Sequence, residues 1–217
     1  IIAINNFMRL FEITEPRNIP IAQLSRQLTG TQDIEDISMI VQKAFPELNV
    51  DSVQNKQIDA NTVNVGAFYD DDEENDITVE LMFSNQDTIT WNTQNRKDFL
   101  RRLQSTIKHE YMHADQHAAR DYDYDSYGMD DTTTSREYYS RADEIEAYAM
   151  NIADELKRKQ GIDGAMQILR TVTKSSQLKD KLGYLLSPDL KGYIDEFDDN
   201  PRVIKALLKK IYQFLTK

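Results

Sequence analysis

The chain has 217 residues, 40% of them hydrophobic, with 7 Gly, 5 Pro and no Cys. That composition supports a packed core and excludes collagen-like, low-complexity and disulfide-built proteins, together with thiolate metal sites and cysteine nucleophiles. The 26 basic and 37 acidic residues leave a net charge of −11, which repels phosphate backbones and anionic lipid, so neither nucleic acid nor membrane is an expected partner.

No apolar run reaches the ~18 residues of a membrane span, and Ile1 to Arg9 lack the basic flank and apolar stretch of a secretion signal. A soluble protein is expected, and a start at Ile1 rather than Met fits a processed or incomplete chain. Phe7, Leu10 and Phe11 share a helical face; Ile21, Leu24 and Leu28 repeat at three and four residues before Gly30, with Pro16 and Pro20 separating the two pieces. A third helix is predicted over Ile34–Ala44, with Pro46 as its stop.

The period then changes to two, from Thr62 to Tyr69 and from Ile77 to Phe83, with acidic Asp70 to Asp76 as the turn of a β-hairpin. A short strand, Thr88 to Trp91, is expected to complete this sheet. From Arg96 a period of 3.6 returns, and Phe99, Leu100, Leu103, Ile107, Tyr111 and Ala114 trace the stripe of the longest predicted helix. Asp121 to Ser135 carries five Asp and reads as a loop. Helices resume over Ala142–Lys159, Gly164–Thr173, Asp189–Phe197 and Pro201–Leu215. The order predicts one α+β domain: a helical portion over 1–50, a core over 60–160 and C-terminal helices over 161–217. The rival organisation makes residues 1–50 a separate helical cover.

All three histidines fall within nine residues, His109 to His117. His109 and His113 are one helical turn apart, so both imidazoles can meet one ion at ~2.0–2.1 Å. Glu110 lies about 100° round the helix from His109, within reach of a water on that ion. His117 sits ~12 Å along the axis from His109, too far to share the ion on a straight helix, and is expected to support a ligand or face solvent. Catalytic zinc sites usually have three protein ligands. A carboxylate from a later helix is therefore required, and the segment Tyr138 to Ala149 offers Glu144 and Glu146.

The pair of motifs, His109-Glu110-Tyr111-Met112-His113 and Glu144-Ile145-Glu146-Ala147, resembles the gluzincin metallopeptidases over roughly residues 96 to 160. The resemblance implies a zincin-like fold, Zn2+ as cofactor, and His109, His113 and Glu144 as its ligands, with Glu146 as the alternative. It further implies peptide hydrolysis with Glu110 as general base, a protein or peptide substrate, and an extended substrate added at the Thr88 to Trp91 edge. The phrase Glu144-Ile145-Glu146-Ala147-Tyr148-Ala149 is also similar to small HExxH proteins of tailed phages, which raises a cytoplasmic or virion-associated setting and a virion or regulatory partner. Many gluzincins place an Asp four residues after the glutamate ligand, where this chain has Tyr148. A donor to the oxyanion is expected among Tyr138, Tyr139, Arg141 and Tyr148. The second functional reading is a non-catalytic structural or interaction protein that keeps the peptidase-like fold. Asp121 to Gly128 begins like a calcium loop, but Gly128 falls at its eighth position and Thr132 at its twelfth, so an acidic loop over the cleft is expected instead.

Overall fold

The computed structural model describes residue 17 and residues 19–70, 76–119, 134–172 and 187–217. The expected helix at Phe7, Leu10 and Phe11, the hairpin tip at 71–75 and the acidic stretch 121–132 lie outside the described residues. The described residues form seven helices and five strands, a mixed α+β chain as expected. The chain divides into two compact units, residues 1–123 and 124–217. No helix among the described residues is long and apolar enough to cross a membrane.

The first unit begins with α1 (Ile21–Gln27), which ends ahead of Gly30, whose φ of +66° suits a residue without a Cβ. β1 (Thr31–Asp33) then leads into α2 (Ile34–Ala44), with Glu35 and Asp36 in the first turn, where the helix dipole favours negative charge. Ile37 and Val41, one turn apart, are its buried residues.

Strands β2 (Asn49–Gln54), β3 (Val63–Asp70) and β4 (Asp76–Phe83) make a sheet in the order β2-β4-β3. The hairpin of β3 and β4 is antiparallel with Val63 opposite Phe83, as expected, but its third strand is not the one predicted. β2 runs parallel to β4, Asn49 opposite Thr78, whereas β5 (Thr88–Thr90) pairs with β1 in a separate two-stranded sheet. The Trp91 N–H donating to the Gly30 carbonyl at 2.8 Å helps to fix β5 beside β1. Central β4 buries Ile77, Val79, Leu81 and Phe83 at every second position.

The long helix α3 (Thr93–Ala118) starts three residues before the predicted Arg96, because Asn92 and Asn95 form a reciprocal cap. It packs on β3, and Phe99, Leu103, Ile107 and Tyr111 join Val79, Leu81 and Phe83 in one core.

The second unit is helical. α4 (Ser135–Tyr139) begins where the expected loop ends and is capped by Thr134 and Glu137. α5 (Ala142–Val172) is interrupted at Gly161, φ 68° and ψ 174°, which separates the two helices predicted there. α6 (Pro188–Glu196) starts with Ser187 accepting the Leu190 N–H at 3.0 Å, and α7 (Pro201–Leu215) has the predicted bounds. Ile152, Leu156, Leu190, Ile194, Phe197, Leu207 and Ile211 form this unit's core, with α7 packed along α5.

Candidate metal centre

Along α3 the buried residues change in kind. From Phe99 to Ile107 they are apolar, and beyond it His109, Glu110, Gln116 and His117 are buried as well. Burying a polar group without a partner costs about 1–3 kcal/mol, so such a cluster needs hydrogen bonds or a ligand to persist.

The His109 and His113 rings meet edge to face with centroids 4.7 Å apart. One ring nitrogen of each lies within 4.8 Å of the other, a range that includes the ~3.3 Å expected between two nitrogens on one tetrahedral ion. The pair is therefore a candidate for sharing one metal ion. Glu110 is buried on the next position round the helix.

His117 is placed differently. It is buried, and its Nδ1 lies 2.7 Å from the hydroxyl of Tyr69 on β3, with the two rings edge to face. This bond ties α3 to the sheet. His113 has its own neighbour on the helix, Gln116, whose Oε1 stands 3.1 Å from Nδ1.

Two further contacts hold the motif's helix. The Tyr111 hydroxyl donates to Glu47 at 2.6 Å, and the Arg17 guanidinium lies over the Tyr111 ring at 4.3 Å while donating to Asp115 at 2.8 Å. Burial raises the Tyr111 pKa, and the hydrogen bond to Glu47 adds to the shift. Burial also raises the Asp115 carboxyl, an effect that Arg17 opposes.

In the second unit Glu144 is only 3% exposed, in the first turn of α5 beside the buried Asp143. Glu146 is engaged elsewhere, accepting from Lys210 of α7 at 2.6 Å. The expected oxyanion donors belong to an aromatic cluster: Tyr139 meets Tyr148 at 5.6 Å, Tyr148 meets Tyr193 at 5.2 Å, and Arg141 lies over Tyr138 at 5.7 Å. Burial pushes the Tyr148 and Tyr193 hydroxyls well above their ordinary range, and the negative field of Glu144 adds to both shifts. Both therefore stay protonated through the neutral range.

No family model, curated protein or solved structure matches the chain. Sequence reading named His109, Glu110, His113, Glu144 and Glu146, and it missed Tyr69, Gln116, Arg17 and Tyr193. Gln116 lies inside the histidine segment, but a glutamine between two histidines carries no signal of its own. Tyr69 lies 48 positions from His117, and only the β3–α3 packing brings them together.

Proposed function

We propose that this chain is a zinc-dependent metallopeptidase in which His109, His113 and Glu144 hold the ion and Glu110 is the general base. The observation that carries the reading is the His109–His113 pair one turn apart on α3, His109 buried and His113 partly so, with Glu110 buried beside them. Glu144 is preferred to Glu146 because the latter already neutralises Lys210, whereas a carboxylate as buried as Glu144 favours a cation as its counter-charge. Bound by these residues, zinc supplies Lewis acidity that polarises a peptide carbonyl and makes water nucleophilic near neutral pH.

Glu110 takes the proton from that water as its oxygen bonds to the carbonyl carbon, and returns it to the amine nitrogen as the C–N bond breaks. The edge proposed to receive an extended substrate moves from Thr88–Trp91 to β3. That strand borders the sheet and carries Tyr69, tied to His117 of α3.

Metal analysis of the purified full chain, with cleavage of an unfolded protein substrate assayed with and without chelator, tests this reading. The expected result is one zinc per chain and chelator-sensitive cleavage, with stoichiometric zinc lost in His109→Ala and in His113→Ala. Zinc without cleavage of any unfolded protein overturns the peptidase reading in favour of a structural role, and absence of stoichiometric metal overturns the site itself.

A further inference from the structure

We infer that Gln116 is a positioning residue that fixes the tautomer of His113, keeping the proton on Nδ1 and presenting Nε2 as the ligand atom. The inference rests on the metal reading for its purpose, but its physical content stands in the metal-free protein. A neutral imidazole carries one N–H and one lone pair, and the partner of one nitrogen decides which is which. The partner here is the Oε1 of Gln116, 3.1 Å from Nδ1. A carbonyl oxygen only accepts, so Nδ1 must donate and the lone pair lies on Nε2.

The burial of Gln116 argues the same way. At 1% exposure it is the most buried of the polar side chains on α3, a position where Leu or Met would pack without the cost of desolvating an amide. Residues three apart on a helix are neighbours, so α3 supplies both the ligand and the group that orients it. Ligating histidines almost always donate their second N–H to such an acceptor, and loss of the acceptor typically weakens metal affinity 10–100-fold.

His117 provides the internal contrast. Its Nδ1 faces the Tyr69 hydroxyl at 2.7 Å, a group that either donates or accepts, so this contact leaves the ring's tautomer open. The Gln116 carbonyl at His113 Nδ1, by contrast, selects Nε2 as that ring's ligand atom.

The test is 15N NMR of the imidazoles in the metal-free full chain at mildly alkaline pH, joined to zinc titration against a competing chelator. Wild type should show His113 as the Nδ1–H form. Gln116→Leu should populate both tautomers and lose about 10–100-fold in zinc affinity, while Gln116→Glu, which keeps an acceptor, should restore both the tautomer and the affinity. An Nε2–H form of His113 in wild type overturns the proposal, as does a Gln116→Leu protein with unchanged tautomer and affinity, or equal losses in the two variants. Failure of wild type to bind zinc counts against the metal reading, and the tautomer result then decides the role of Gln116 alone.

Discussion

Helices α3 and α7 are both amphipathic, but they bury different things. In α7 the buried residues are Val203, Leu207, Leu208, Ile211 and Leu215, one aliphatic stripe opposite the exposed Arg202, Lys205 and Lys209. In α3 a comparable stripe runs only to Ile107, after which two histidines, a glutamate and a glutamine are buried among Tyr111, Met112 and Ala114. Hydrophobic burial explains the stripe of α7. It does not explain the second half of α3, where the polar groups carry a desolvation cost that apolar residues would avoid. A segment that gives up stability in this way is where chemistry is expected, and the contrast separates a helix that packing accounts for from one proposed to carry a site.

The largest effect expected from that contrast is on turnover. Glu110→Gln preserves the shape of the side chain but removes its basicity, so cleavage of an unfolded protein should fall by about 10²–10⁴-fold while zinc content and the thermal transition stay near wild type. Undiminished cleavage would remove Glu110 from the reaction. In α7 the corresponding truncation acts on folding alone: Leu207→Ala, at a fully buried core position, should cost about 2–5 kcal/mol in urea denaturation with zinc stoichiometry unchanged. A loss of metal in Leu207→Ala with the fold intact would erase the distinction between the two helices.

The next effect separates two carboxylates on α5. Glu144→Ala should weaken zinc strongly in chelator competition, because it takes one of three proposed ligands. Glu146→Ala should leave zinc in place and cost about 1 kcal/mol at most, the worth of a partly exposed pair with Lys210. The opposite ranking would transfer the ligand role to Glu146.

What the sequence made legible follows the same physical lines. α2 and α7 have the bounds that their periodicity and flanking prolines or turns predict, since an aliphatic stripe is a local signal. β4 was legible because the buried Ile77, Val79, Leu81 and Phe83 fall at every second position. β2 was not: Asn49-Val50-Asp51-Ser52-Val53-Gln54 is polar and mostly exposed, and its place beside β4 is set by tertiary pairing rather than by pattern. β5 was legible as a strand but not in its pairing, because its three residues fit any edge and lie against β1. Within the candidate site, the residue types proposed to bind metal announce themselves by spacing. Tyr69 meets a histidine nitrogen that only the β3–α3 packing puts within reach, and Gln116 meets one three residues back on its own helix.

An effect of similar size near neutral pH lies in the aromatic cluster, the second unit's own example of buried polar atoms. Tyr193 donates to the Tyr139 carbonyl at 3.1 Å, so Tyr193→Phe should cost about 0.5–1.5 kcal/mol at pH 7. The sign reverses at high pH. Burial, then the neighbouring Tyr148 and Glu144, hold the Tyr193 proton well above the ordinary tyrosine range, whereas the unfolded chain releases it near pH 10. Above that pH the unfolded state binds fewer protons than the folded one, and stability falls by up to about 1.4 kcal/mol per pH unit for each such tyrosine. Tyr148, raised for the same leading reason, keeps contributing in the variant, but the Tyr193 share of the slope is gone. Urea denaturation of both proteins from pH 7 to pH 11 should therefore give two curves that converge above pH 10 and cross, with the variant the more stable at the alkaline end. Parallel curves would mean that Tyr193 titrates alike in the folded and unfolded chains, and that its burial is no different in kind from the aliphatic stripe of α7.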